Sequence, residues 1–128
     1  MKITIPGQPF SQKRHRTNGY RRYDPSSKDK KTIRKQLLPI KPTNPLESKL
    51  SVIIRAYFQT PKSWSKKKQK SVECTSRPKS PDVDNIVKIY ADAMNGYIYK
   101  DDRQIVHCDI AKKYSMEPRI EIIINEVQ

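Results

Sequence analysis

An alternating segment near the middle of the chain constrains the fold most strongly. Residues 49–58, KLSVIIRAYF, carry an apolar side chain at every second position. Successive side chains of a β-strand point to opposite faces, so this pattern predicts a strand with one buried face. The predicted buried face consists of Leu50, Val52, Ile54, Ala56 and Phe58. The chain therefore needs a sheet and a second layer that covers it.

Weaker patterns predict the other elements. Further strands are expected over residues 2–5, 104–114 and 119–126, and helices over residues 28–38, 61–70 and 85–95. Ser63 is the expected N-cap of the second helix and Asp84 of the third, which is expected to stop at Gly96. This order predicts an α/β (α+β) fold, with one small domain over residues 1–128 and a mixed β-sheet packed with helices.

Several classes of protein are excluded. Cys74 and Cys108 match neither a disulfide framework nor a zinc site in number and spacing. Cys108 shares the apolar side of its predicted strand with Val106 and Ile110, so we expect it in the core. No apolar run approaches the roughly 18 residues of a membrane span. The opening residues are too soon interrupted by proline to be a signal peptide, and a cytoplasmic location is expected.

The charge balance indicates a polyanionic partner. Lysine and arginine number 27 against 13 aspartates and glutamates, which gives a net charge of +14. Residues 1–80 hold this excess, whereas residues 81–128 are slightly acidic. Neutralising phosphates releases counterions, so nucleic acid is the expected partner. Hydrophobic residues make up 34% of the chain, and we expect so small a core to depend on a partner subunit.

The acidic side chains gather in one short stretch. Asp82 and Asp84 are two positions apart. In an extended segment their side chains leave the same face, with Cα atoms about 6–7 Å apart. Lys88 lies about one helical turn beyond Asp84, and Asp92 follows Lys88 on the polar side of the helix. The spacing therefore predicts two carboxylates that share one cation, beside a lysine.

A turn at Asn95-Gly96 is expected to bring Asp101-Asp102 back beside these two carboxylates. Converging carboxylates repel one another unless a divalent cation neutralises them. Oxygen ligands suit Mg²⁺ or Mn²⁺ rather than Zn²⁺. Such a site activates water and stabilises in-line attack on a phosphodiester. These residues therefore favour a metal-dependent nuclease that needs no small-molecule cofactor.

The stretch resembles the signature of the RusA family of small Holliday junction resolvases, which phages and prophages often carry. The matching residues are Asp82-x-Asp84-Asn85-x-x-Lys88-x-x-x-Asp92-Ala93-Met94-Asn95-Gly96, Tyr99-x-Asp101-Asp102-x-Gln104-Ile105 and Lys113-Tyr114. The resemblance is dense over residues 81–114 and looser near the N-terminus, whereas residues 17–48 and 60–77 show none. It implies a cytoplasmic homodimer, bacterial or phage-encoded, that uses Mg²⁺ to cut four-way DNA junctions by paired symmetric nicks in recombination and repair.

The resemblance also implies roles for individual residues. Asp82, Asp84 and Asp102 correspond to the metal-binding carboxylates, and Lys88 corresponds to the essential lysine. The positions implied to contact DNA are Ser11, Gln12, Lys13, Arg14, Arg16, Arg77, Lys79 and Asn85. Asp92 and Asp101 are expected to support the site without binding the metal. Mn²⁺ is expected to replace Mg²⁺.

Two other functions fit the same residues. In a non-catalytic nucleic-acid-binding module, the acidic residues would only cap a helix and balance the lysines. A related nuclease would cut flaps, forks or structured RNA, since contacts to the backbone carry little information about branch shape. Asp82→Asn distinguishes the module from the nucleases, because only a nuclease would lose cleavage while it still binds nucleic acid.

Overall fold

A mixed four-stranded sheet lies at the centre of the domain. The computed structural model describes residues 1–13, 16–18, 21–74 and 78–128, with the side chains of 16–18 and 21–23 left undescribed. The strands are β1 (Lys2–Pro6), β2 (Arg16–Asn18), β3 (Arg21–Tyr23), β4 (Lys49–Gln59), β5 (Ile105–Ser115) and β6 (Arg119–Val127). The helices are α1 (Ser27–Gln36), α2 (Lys66–Ser71) and α3 (Val83–Met94), with 3₁₀ turns at Leu38–Ile40 and Asp102–Gln104. None of the described helices is both long and apolar enough to cross a membrane.

The sheet order is β1-β6-β4-β5. Strand β6 pairs antiparallel with both β1 and β4, whereas β5 pairs parallel with β4. A parallel pair needs a long crossover connection, and here that connection contains α2 and α3. The prediction of a small α+β domain with a mixed sheet is confirmed.

The core lies between one face of the sheet and the helices. Strand β4 alternates as predicted, and its five apolar positions are all buried. Helix α3 buries a stripe at helical spacing that consists of Ile86, Ile89, Tyr90, Ala93 and Met94. Helix α1 adds Ile33 and packs beside α3, where the Arg34 guanidinium donates to the Ala93 carbonyl over 2.8 Å. The long strands and α3 thus form where the sequence predicts them.

Strand β5 lies at the edge of the sheet, and this makes the core prediction for Cys108 wrong. Cys108 pairs with Val52, so it does point to the helix-covered face. It is nevertheless exposed, and Val106 nearby is 57% exposed. The physical reason is that an edge strand has a neighbour on one side only, and the helical layer does not cover the beginning of β5.

The predicted N-caps of two helices also need correction. Helix α2 is capped by Ser65, whose hydroxyl accepts from the Lys68 amide over 3.2 Å, and not by Ser63. Helix α3 begins at Val83, so Asp82 occupies the N-cap position and Asp84 lies in the first turn. The hairpin of β2 and β3 was not predicted, although Asn18-Gly19 is a known hairpin signal.

Candidate active site

Two exposed carboxylates lie at the N-terminal end of α3. Asp82 is extended, with φ −67° and ψ 148°, and its carbonyl accepts from the amides of Asn85 and Ile86. The side chains of Asp82 and Asp84 are exposed, and among the described residues neither carboxylate has a hydrogen-bond or ion-pair partner. The positive end of the helix dipole stabilises negative charge here. Their oxygen atoms are therefore free to bind a cation.

A lysine from the edge strand fixes the segment that leads into Asp82. The Lys112 ammonium of β5 donates to the Pro81 carbonyl over 2.8 Å and to the Lys79 carbonyl over 3.1 Å. Both carbonyls lie within three residues of Asp82. The Lys79 side chain itself stays exposed. The position of Asp82 is thus set by β5 as well as by α3.

Asp102 lies at the opposite, C-terminal end of α3. Its backbone amide donates to Asn95 Oδ1 over 2.8 Å, and Asn95 Nδ2 lies 3.5 Å from Asp102 Oδ2. Asn95 is the residue at which α3 ends. Asp102 also lines a groove beside the helix.

Asp101 has a structural place in the same turn. Its carboxylate accepts from the Arg103 amide over 2.9 Å, while its own amide donates to Gln104 Oε1. The bonds from Arg103 hold the pKa of Asp101 below its usual value. Gln104 continues this network by donating to the carbonyls of Leu46 and Ser48, each over 2.9 Å. Asp101 thus holds the turn that contains Asp102.

A groove of about 620 Å³ runs between α3 and β5 and joins the two acidic ends. Its lining residues are Val83, Asp84, Val87, Lys88, Ala91, Asp92, Asp102, Ile105, Cys108 and Ile110. The rise of an α-helix places Asn95 about 16 Å from Asp84 along the axis. Within the part of the chain that the structure describes, no three acidic, histidine or cysteine side chains come close enough to share a metal ion.

The predicted convergence of three carboxylates is therefore wrong for a single chain. The chain does turn back at Asn95-Gly96 as predicted, but the 12 residues of α3 separate the two ends of the helix. Asp102 consequently shares one groove with Asp84 without lying beside it. Lys88 lies between them, exposed on the helix face that lines the groove.

Comparison with known proteins decides the family. The family model of endodeoxyribonuclease RusA matches residues 6–125. This chain belongs to the RusA family. It is also 38% identical to the uncharacterized protein YqaN of Bacillus subtilis (strain 168), over 99% of this chain and 96% of that protein. Membership supports endodeoxyribonuclease activity, and the matched residues include both ends of α3.

The N-terminal loop of this RusA-family chain packs against the start of α3. The Gln12 amide donates to the Asn85 carbonyl over 2.9 Å, and the Lys13 amide donates to Ser26 Oγ over 2.8 Å. The Gln12 side chain is only 8% exposed, and its Nε2 donates to Asp24 Oδ1. The structure therefore contradicts the prediction that Gln12 contacts DNA, because its side chain is used to hold the loop.

The other predicted DNA contacts have different outcomes in the RusA-family structure. Lys13 is exposed, whereas Ser11 and Asn85 are half-buried. The remaining three predicted contacts lie outside the described side chains, and these are Arg14, Arg16 and Arg77. Lys13 on the loop and Lys79 before the helix are thus two described basic side chains that are exposed near the start of α3.

The half-buried Lys30 connects α1, the N-terminal loop and α3. Lys30 Nζ donates to Asp24 Oδ2 over 2.5 Å and to Asp92 Oδ2 over 3.3 Å. Burial alone would raise the pKa of Asp24, but the bonds from Lys30, the Ser26 amide and Gln12 outweigh it and lower the pKa to about 2. Lys30 thus links Asp92 of α3 to α1.

The sequence argument missed the residues that position the site in this RusA-family protein. Asn95 was interpreted only as part of a turn, although asparagine directly after a helix is well suited to bond a following loop. Lys112 and Lys30 gave no signal, because their contacts lie 31 and 62 positions away in the chain. Such distant pairs become visible only in three dimensions.

Proposed function

We propose that the chain is a divalent-metal-dependent endonuclease that resolves four-way DNA junctions by paired symmetric nicks, in DNA recombination and repair. The observation that carries this proposal is the pair of exposed carboxylates at the N-terminal end of α3, Asp82 and Asp84, which have no partner among the described residues. Membership of the RusA family supports nuclease activity. A net charge of +14 supports a nucleic-acid substrate.

Asp82 and Asp84 would hold Mg²⁺, and Mn²⁺ would replace it. The donor set fits, because both groups present only carboxylate oxygens, which these hard cations prefer. When bound, the ion supplies a Lewis acid and lowers the pKa of a coordinated water. Lys88 follows Asp84 by about one turn, so its ammonium would neutralise negative charge on the phosphate that is cut.

A homodimer would complete the site. In one chain Asp102 is bonded to Asn95, which lies about 16 Å from Asp84 along the axis of α3, and among the described residues no three acidic side chains come close enough to share a metal ion. A second copy, related by a two-fold axis and lying antiparallel along the groove, would bring its Asp102 to this Asp84 and receive the same in return. The open edge of β5 and the partly exposed apolar side chains of Val83 and Val106 favour that surface.

Basic side chains near the carboxylates would hold the substrate. Lys13 and Lys79 are exposed on either side of the start of α3. Backbone contacts of this kind position a duplex without reading its sequence. Ser11, Asn85 and the three arginines that the structure leaves undescribed would add to the same surface.

Cleavage of a labelled four-way junction beside a linear duplex of the same sequence tests the proposal. The reaction is run with Mg²⁺, with EDTA, and with the Asp82→Asn protein. Paired nicks in the junction alone, abolished by EDTA and by Asp82→Asn, are expected. Equal cutting of both DNAs would keep a nuclease but reject the junction, and binding without cutting under any divalent cation would indicate a non-catalytic module.

A further inference from the structure

A dense lysine patch lies on α2, outside the groove. We define the α2 patch as the exposed residues Lys62, Lys66, Lys67, Lys68 and Lys70. No acidic residue occurs between positions 61 and 72. Among the residues that the structure describes, none of these lysines forms an ion pair. The patch therefore concentrates positive charge that the protein itself does not neutralise.

This charge disfavours the helix that carries it. Lys66 and Lys67 lie in the first turn of α2, where the helix dipole repels cations. Lys66 and Lys70 are four positions apart, a spacing at which like charges destabilise a helix. Residues that destabilise the helix in which they lie are typical of a functional surface. The lysines are better explained by a ligand than by folding.

The chain nevertheless holds α2 in a defined place. The Trp64 ring packs edge-on against Tyr114 with centroids 5.4 Å apart, and Lys68 Nζ lies 4.1 Å from the Trp64 centroid. Gln69 accepts from the buried Thr60 hydroxyl over 2.9 Å and donates to the Trp64 carbonyl. A patch that is fixed before binding loses less entropy when a ligand is bound.

The α2 patch lies on the same side of the molecule as Asp82. Tyr114, which contacts Trp64, is two positions after Lys112 on the same face of β5, about 7 Å along the strand. Lys112 holds the carbonyl of Pro81, the residue directly before Asp82. A phosphodiester chain engaged at Asp82 can therefore continue onto α2 with little bending.

We propose that the α2 patch binds the phosphate backbone of a duplex DNA arm next to the cut site. The proposal rests on the proposed function, since it assumes a DNA substrate at Asp82. It extends that function with a binding surface on α2, outside the groove. Lysines act as point charges on phosphates, so the surface would bind without preference for base sequence.

The test removes three charges and measures binding rather than cutting. The variant Lys66→Gln/Lys67→Gln/Lys70→Gln keeps Lys68, which packs on Trp64. Binding of a labelled four-way junction and a linear duplex is measured in EDTA over a series of salt concentrations. We expect the slope of log K against log salt to fall by about 2 to 3, with affinity at least about tenfold weaker at about 0.1 M salt.

A matched control separates a site from total charge. Lys35→Gln/Lys41→Gln/Lys49→Gln removes the same charge from exposed residues around the other end of α3, where Lys41 lies 5.3 Å from the Tyr97 ring centroid. We expect this control to lower the slope by less than about 1. An equal loss in both variants would overturn the proposal, because the patch would then act only through net charge.

The two proposals fail in different ways. If the α2 variant binds DNA like the wild type while Asp82→Asn abolishes cutting, the α2 surface is rejected and the nuclease stands. If the wild type cuts nothing under any divalent cation but the α2 variant loses binding, the nuclease is rejected and the surface stands. Tighter binding of the wild type to duplex RNA than to duplex DNA would overturn the assignment of the ligand.

Discussion

The two ends of α3 carry acidic side chains in opposite states. At the N-terminal end, Asp82 and Asp84 are exposed and have no partner among the described residues. At the C-terminal end, Asp101 and Asp102 are tied into a turn by the amides of Arg103 and Asn95. The comparison indicates that the first pair is available as ligands, whereas the second end is built to hold one carboxylate in place.

The helix dipole opposes the placement of carboxylates at only one of the two ends of α3. Carboxylates are favoured at the positive N-terminus of a helix and disfavoured at the negative C-terminus. Cations compensate the second end, since Arg34 donates to the Ala93 carbonyl and Lys30 donates to Asp92. Keeping Asp102 beside a helix C-terminus thus takes several compensating contacts, as is common at functional sites.

Removing a free carboxylate should have the largest effect. Asp82→Asn keeps the shape of the side chain but removes its charge, so we expect junction cleavage to fall by about 100- to 1000-fold. Because Asp82 is exposed and has no partner within the described part of the chain, the free energy of unfolding should change by less than about 0.5 kcal/mol. Urea denaturation and cleavage are measured together. Asp109→Asn, on the opposite face of β5, is the matched control and should keep its activity.

Mixing two inactive variants tests whether the ends of α3 meet between subunits. Asp82→Asn and Asp102→Asn should each be inactive alone. In a mixed dimer one site carries both substitutions and the other carries neither, so nicking should return to about a quarter of wild type after free exchange of subunits. The restored product should be single nicks rather than paired nicks. If the mixture stays inactive, each site is confined to one chain.

The positioning bond at the C-terminal end should matter less than the ligands. Asn95→Ala removes both side-chain bonds to Asp102, and we expect cleavage to fall by about 10- to 100-fold. The apparent affinity for Mn²⁺ should weaken with it, a readout that a purely structural loss would not move in a folded protein. Asn125→Ala, an exposed asparagine near the end of β6, serves as control. An unchanged metal affinity would contradict a positioning role.

The smallest expected effect lies in the network that supports α3 from α1. Asp24→Asn should lower the free energy of unfolding by about 1–2 kcal/mol at neutral pH. The pKa of Asp24 is lowered to about 2, so its contribution is present above pH 4 and is lost as the pH falls toward 2. In urea denaturation between pH 5 and pH 2, the free energy of unfolding should therefore fall less steeply for the variant than for the wild type. Parallel curves for both proteins would contradict this.

The sequence predicts the regular elements far better than their surroundings. The alternation of β4 and the apolar stripe of α3 each depend on neighbours along the chain, and the structure confirms both. Cys108 was predicted wrongly because alternation identifies a face of a strand but not its place in the sheet. An edge position is decided by which strands pair, and β5 pairs only with β4 in the described sheet.

The candidate site divides in the same way. Asp82, Asp84 and Lys88 are close in sequence, and their arrangement follows from one helix start. The turn at Asn95-Gly96 predicts that Asp102 approaches Asp84, but the 12-residue length of α3 separates the two ends of the helix in one chain. The RusA resemblance assigns Gln12 to DNA, whereas the Gln12 side chain bonds Asp24, which lies 12 positions away. Contacts of this range cannot be deduced from local patterns.

The sheet order has a consequence for how the protein forms on the ribosome. Strands β1 and β4 are not neighbours, and both pair with β6, which is synthesised last. Strand β1 therefore emerges without a sheet partner, and the four-stranded sheet is complete only after the long β4–β5 crossover has closed and β6 has paired with β1 and β4. Every acidic residue of the candidate site lies inside that crossover. The basic segments of the nascent chain are thus exposed well before the acidic residues of the candidate site acquire fixed positions.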